Sequence, residues 1–307
     1  MKNRSLIVSL LALCTVGVFA FQGGDADKKK DTVVEKIKGA MPTTDVKPKV
    51  KRKLLVFSVT RGYRHGSIKT GKKALTLLGQ ETGAFEAVVS DDLANFEADK
   101  IKEFDAICFL NTTHEVFSPS KVDFSKMNDA QKAEAKVRED RLKKNLVDFI
   151  KSGKGFVGIH SASDTFFKWP EYGEMIGGYF NGHPWNSNTS VSIKVEEGKE
   201  KHPLIAHLNG KSLDFKEEIY QLKEPYDSKK YDMLLRLDVE KSDMNVKGIK
   251  RKDNDFGVSW VKKYGEGRVF YCSLGHNDHI YWNSDVLKLY LSGIQYVMGD
   301  LEIEPKK

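Results

Sequence analysis

The sequence predicts an α/β chain built on a doubly wound, mainly parallel sheet with an antiparallel extension. Two observations carry this. Short continuous apolar runs alternate with stretches of helical period between Lys53 and Ile159, and strands that are apolar on both faces belong in parallel sheets covered by helices. Beyond Trp185 the runs shorten and alternate with polar residues, the pattern of antiparallel strands with one solvated face. At 307 residues, 40% of them hydrophobic, the chain can bury a substantial core.

The elements follow in order. Lys2 and Arg4 precede an apolar run from Leu6 to Phe19, too short to span a membrane comfortably, which reads as a secretory signal over residues 1–20 with cleavage after Ala20. Leu13 is too large for the position before a lipidated Cys14, so a lipoprotein, like an uncleaved anchor, is the lesser reading. The expected location is exported, periplasmic or extracellular, and only this segment meets a membrane. From Gln22 to Lys53 nine Lys and one Arg face five acidic residues, with few large apolar side chains, which predicts a flexible, Lys-rich tether over 21–52. One folded domain is expected over 53–303. The formal charge of +7 resides largely in the first two segments, so the domain is nearly neutral and no nucleic-acid partner is expected.

Within the domain, LLVFSV from Leu54 predicts the first strand, and a helix from about Ser67 to Gln80 separates it from the strands FEAVVS and DAICFL. Asn128 can cap, and Gly153 can end, a helix whose Leu142, Leu146, Phe149 and Ile150 form an inward stripe while its polar first half is solvated. GFVGI at 155–159 is the next buried strand. TSVSIKV, DFKEEIYQL, MLLRL and FGVSWVKKY read as the antiparallel extension, GRVFYCSL as a last buried strand, and Val286 to Met298 as a closing helix. Cys108 and Cys272 lie inside strand runs and are expected to be buried fillers with no disulfide.

Ligands of such sheets bind beyond the carboxyl ends of the strands. Four of the eight histidines, His65, His114, His160 and His276, fall there. Each taken alone is more often an ordinary hydrogen-bonding residue; convergence on one sheet edge would raise the set above that. Gly158-Ile-His-Ser-Ala162 has the strand, sharp turn, helix layout of a nucleophile elbow with His160 in the nucleophile place. A helix N-terminus there disfavours protonation, so the imidazole suits metal ligation or a hydrogen bond to substrate, with Asp164 either orienting it or capping the helix. His276 and His279, three apart, make a weak metal signature on their own. Tyr281 and Trp282 are core or sugar-stacking surfaces. Gly182-His183-Pro184-Trp185 places a histidine in a constrained loop. In the alternating strand containing Glu217 and Glu218, only one of the two carboxylates can face a site, and Glu218 is the candidate.

TRGYRHGS, GIHSASDTF, GGYFNGHPW, EEIY and YGEGRVFYCSLGH occur in that order, and through them the chain from about 53 to 301 resembles the ThuA-like (trehalose utilisation) family. The resemblance implies a flavodoxin-type fold of the class I glutamine amidotransferase-like superfamily. It also implies site roles for His65, His160, His183, Glu218 and His276, with Arg64, Asp164 and Trp185 beside them. Amidotransferases need an elbow cysteine, and this elbow holds His160, so glutaminase chemistry is not expected.

The resemblance implies a carbohydrate substrate, a disaccharide such as trehalose or an oxidised keto-sugar. His160, His183, Glu218, His276 and Asp164 are the candidate catalytic groups. Arg64, His65, Trp185, Asn277 and Trp282 are the candidate sugar contacts, and His65, His160 and His276 the candidate ligands of a divalent metal such as zinc. No nucleotide cofactor is expected. Hydrolysis, isomerisation and elimination all remain open, and the alternative is a non-catalytic carbohydrate-binding module on the same fold.

Overall fold

The computed structural model describes residues 24–44 and 46–303; the expected signal segment and Cys14 lie outside them. Helix α1 (Gly24–Gly39) precedes β1 (Lys53–Phe57), α2 (Ile68–Thr82), β2 (Glu86–Val89), β3 (Ala106–Leu110), α3 (Lys121–Lys126), α4 (Asp129–Lys151), β4 (Gly155–Ile159) and α5 (Pro170–Ile176). Then come β5 (Tyr179–Phe180), β6 (Ser190–Val195), β7 (Leu213–Lys216), β8 (Leu222–Lys223), β9 (Asp232–Leu237), β10 (Gly257–Tyr264), β11 (Gly267–Cys272) and α6 (Ser284–Val297).

The main sheet has nine strands in the order β2-β1-β3-β4-β11-β10-β9-β6-β7. Its first five are parallel, in the strand order of flavodoxin-like folds, and the other four continue it antiparallel. Both halves are as the sequence pattern predicts. Strand alternation divides the core between two faces. Leu54 and Val56 pack with Leu75 and Leu78 of α2 and Leu291 and Ile294 of α6, while Leu55 and Phe57 pack with Leu142 and Leu146 of α4 and Met175 of α5. Every residue of β3 and β4 is buried, which is why their sequences read as unbroken apolar runs.

Local signals explain the long helices. Asn128 caps α4 in a reciprocal capping box with Gln131, which satisfies two otherwise orphaned N–H groups. Asn283 caps α6 by accepting from the N–H groups of Asp285 and Val286. Cys108 and Cys272 are buried and free, and burial pushes the Cys272 thiol up to about 12. Among the described residues no helix is long and apolar enough to cross a membrane.

Two expectations fail. The segment read as a flexible tether is helical from Gly24 to Gly39, and Ile37 is fully buried with Val33 and Val34 packed beside it. These three supply one apolar stripe that docks on the domain, while Lys36 lies over the Trp282 ring and Lys38 pairs with Glu81. The following residues are tied down by Thr44 and Val46 to Gln295 and by Arg52 to Asp300. A lysine-rich composition concealed a short amphipathic face. Secondly, DFKEEIYQL is a strand only to Lys216. Beyond it Glu217, Ile219 and Gln221 donate their N–H groups to the carbonyls of Thr189, Trp185 and Gly182, so the chain leaves the sheet before the two glutamates.

Candidate functional site

The site is built where β1, β4, β7 and β11 run out. After β1, Thr60 bridges Thr113 beyond β3. The loop is then braced from that side: Arg61 N–H donates to the Thr113 carbonyl (2.9 Å), Gly62 N–H to Thr113 Oγ1 (3.1 Å), and Thr113 Oγ1–H to the Tyr63 carbonyl (3.0 Å). His65 follows, buried, one turn before α2. The exposed His114 ring lies close over Gly62, where a Cβ would come within 2.6 Å of Nε2 and displace it.

At the end of β4, His160 has φ 51° and turns the chain into the short 3-10 segment His160–Asp164. The sharp elbow is present, but no α-helix follows it, so the dipole argument does not apply. Burial instead holds His160 well below the ordinary histidine value, with His65 adding to it. Its orienting partner is also not Asp164. His160 Nδ1 lies 2.7 Å from the Ser273 carbonyl, to which it must donate, so Nε2 carries the lone pair that faces the cluster.

Beyond β11, Gly275 adopts φ 139° and its carbonyl accepts from Ser67 Oγ (2.8 Å), Asn111 Nδ2 (3.0 Å) and Tyr281 Oη (3.1 Å). His276 is thereby carried to the cluster. Its Nδ1 lies 3.2 Å from Glu218 Oε1. Among the described residues this buried nitrogen has no hydrogen-bond partner beyond that contact. Burial lowers the affinity of His276 for a proton, but the Glu218 carboxylate outweighs it and the net shift is upward.

His65, His160, Glu218 and His276 thus converge, one ligand atom from each lying within 4.8 Å of all the others. His65 Nε2 to His160 Nε2 is 3.2 Å, and Glu218 Oε1 lies 3.6 Å from His160 Nε2. Metal bonds of about 2.0–2.2 Å around a tetrahedral centre set ligand atoms about 3.3–3.6 Å apart; the closest pairs are near that spacing, and the four atoms, within 4.8 Å of one another, would draw together around an ion. Burial, then the nearby His276, hold His65 down at about 4 despite Glu218. The imidazoles of His65 and His160 are therefore neutral at pH 7, the form that ligates. Without an ion, Ser161 Oγ lies 3.4 Å from His65 Nδ1, and the single lone pair of His160 Nε2 is shared between His65 Nε2 at 3.2 Å and the Tyr220 hydroxyl at 3.0 Å. His276 stands outside these contacts, its Nδ1 facing Glu218.

Around this centre, His183 Nδ1 is 3.5 Å from Glu218 Oε2, its side chain 49% exposed. Asp164 sits close enough to Glu218 that burial, and then that charge, push its carboxyl up to about 7. Tyr63, 64% exposed, meets the His65 ring edge-on at 4.8 Å. Arg64 is exposed on the same loop.

Three expected sugar contacts are elsewhere. Trp185 is fully buried against Phe256 and donates its indole N–H to the Asp243 carbonyl. Trp282 packs under α1. Asn277 braces the loop, donating from Nδ2 to the carbonyls of Ser187 and Lys216. His114 is exposed over Gly62 and His279 lies beside Phe215, so neither joins the cluster. Sequence reasoning missed Tyr63, Tyr220 and Glu217. Tyr63 carried one unused signal, its place two residues before His65.

A family model described as trehalose utilisation, ThuA, matches residues 53–297. A ThuA-like protein of Bacteroides uniformis ATCC 8492 superposes with a TM-score of 0.59 at 21% identity, covering 81% of this chain and 93% of that one. One of Parabacteroides merdae ATCC 43184 gives 0.57 at 16% identity, over 84% and 93%. A cytoplasmic protein of Salmonella typhimurium LT2 gives 0.51 at 10% identity, over 80% and 99%. These likenesses show a shared fold. Comparison with curated proteins found no match.

Proposed function

Because the chain belongs to the ThuA (trehalose utilisation) family, we propose that it acts on a carbohydrate, a disaccharide such as trehalose or its keto form, at the cluster of His65, His160, Glu218 and His276. These four residues hold a divalent metal such as zinc. The observation that carries the proposal is the meeting of four ligand atoms from four separate loops, all within 4.8 Å of one another. When bound, the metal would polarise a hydroxyl or carbonyl oxygen of the sugar. Asp164, its carboxyl near 7, gives or takes a proton at neutral pH, and His183 stands half exposed beside Glu218, within reach of a bound sugar. The leader-like run at residues 6–19 supports an exported protein.

Chain purified without a histidine tag is expected to contain stoichiometric zinc or another divalent metal by elemental analysis. At 100 times its dissociation constant a metal adds about 2.7 kcal/mol to stability, so chelation should lower the melting temperature by about 5–10 °C. Absence of stoichiometric metal together with an unchanged melting temperature in chelator would sink the metal reading. The contacts among Ser161, His65, His160 and Tyr220, which form without an ion, favour a second reading, a binding module that grips sugar without turning it over. Incubation with trehalose, other disaccharides and their 3-keto forms, followed by mass spectrometry, separates the two: binding without product assigns the module.

Tyr63 takes the place that Trp185 and Trp282 do not fill. An exposed ring on a loop this firmly braced offers a flat apolar face at the mouth of the site, and a stacked ring contributes ~0.5–1.5 kcal/mol. Tyr63→Ala should weaken sugar binding about 2–10-fold by calorimetry while metal content and melting temperature stay as in the wild type. Equal affinity in the two proteins would remove Tyr63 from the site.

A further inference from the structure

We propose that Glu217, which the chemistry above does not use, is the positioning residue that sets the His276 arm of the site. The inference rests on the site proposed above.

The side chain of Glu217 is fully buried, and the donors that reach it are three consecutive backbone N–H groups. Gly275 N–H donates to Oε1 at 2.9 Å, His276 N–H to Oε1 at 2.6 Å, and Asn277 N–H to Oε2 at 3.1 Å. A carboxyl group taken out of water is costly unless its lone pairs are filled, and three converging backbone N–H groups fill them. The adjacent Glu218 reaches the imidazole of the same histidine. Successive glutamates therefore hold His276 twice, Glu217 by its backbone and Glu218 by its ring.

This grip decides where the ring points. The carbonyl side of Gly275 is fixed by Ser67, Asn111 and Tyr281, and Asn277 is fixed by its side chain to Ser187 and Lys216. Glu217 completes the set by fixing the N–H side of all three residues, and with it the direction of the His276 Cα–Cβ bond. Because β7 ends at Lys216, both carboxylates can turn inward, which a continuous strand would forbid.

Glu217→Gln keeps the size of the side chain but turns one acceptor oxygen into an N–H donor facing backbone N–H groups. Two readouts test the role. The first is the His276 ring in metal-free protein, followed by long-range 1H–15N correlation; its tautomer signature is expected to change in Glu217→Gln while the His183 ring keeps its own. The second is cobalt(II) titration, in which Glu217→Gln should bind about 10–100-fold more weakly, the cost of losing an outer-sphere partner, with an altered visible spectrum. A lowered melting temperature with the His276 signals and cobalt spectrum unchanged would show a merely structural role and overturn the proposal. If wild type binds no cobalt but the His276 ring still responds, the metal reading falls and the positioning role stands. Should Glu217→Gln not fold, Glu217→Asp, which keeps the carboxyl group but retracts it by one methylene, is expected to give intermediate values in both readouts. Failure of both variants to fold would overturn the proposal in favour of a folding role.

Discussion

His160→Ala is expected to leave the protein folded and unable to hold the metal proposed above. Removing a ligand outright must cost more than the ~10–100-fold that outer-sphere changes cost, and no neighbouring group replaces a nitrogen held at 2.7 Å from the Ser273 carbonyl by its opposite ring atom. Stability will also fall, since the ring is fully buried. A companion variant separates backbone from side chain. His160 has φ 51°, a left-handed conformation that costs any residue with a Cβ ~1–2 kcal/mol and glycine almost nothing. His160→Gly should therefore be more stable than His160→Ala by about 1 kcal/mol in urea unfolding, with both lacking metal. An alanine variant that retains stoichiometric metal would exclude His160 as a ligand.

Gly275→Ala should produce the larger loss of stability. Gly275 sits at φ 139°, and a Cβ there would lie 2.8 Å from Tyr281 Oη, 3.0 Å from Ile159 Cγ2 and 3.2 Å from His160 Cβ. Backbone strain of ~1–3 kcal/mol combines with overpacking of similar size, giving an expected loss of about 2–4 kcal/mol by equilibrium urea unfolding. The nearest obstacle is the Tyr281 hydroxyl, so Gly275→Ala/Tyr281→Phe should recover part of the loss, a coupling that distant sites do not show. A loss under about 0.5 kcal/mol, within the range of neutral surface changes, would mean that the turn yields easily and is not a rigid carrier of His276.

The parallel half of the fold was legible because β1, β3 and β4 are buried on both faces, and such strands announce themselves as unbroken apolar runs. The histidines were legible for a related reason, since the ends of those strands are where a doubly wound sheet places its ligands. What escaped were features decided by one or two side chains against the trend of their segment. In α1, Val33, Val34 and Ile37 outweigh a field of lysines once they find a surface to dock on. At Glu217 the assumption of a continuing strand sent one carboxylate outward, whereas the strand had already ended at Lys216. Trp185 and Trp282 carry the chemistry of sugar contacts, but large aromatic rings serve a core equally well, and only packing distinguishes the two uses. Tyr63 reverses that case, an aromatic held out in solvent by a loop tied down along its backbone.

The four ligand atoms belong to loops that follow β1, β4, β7 and β11, so no two of them are neighbours along the chain. His160 and His65, whose ring nitrogens are 3.2 Å apart, are separated by 95 positions, and His276 joins them only after the last strand is in place. Contacts of such separation carry a loop-closure cost that the assembled sheet repays, so an ion held there would stabilise the completed fold. Occupancy would then report on the integrity of the entire domain: a lesion in the antiparallel strands, remote from every histidine, would release the ion as surely as the loss of a ligand.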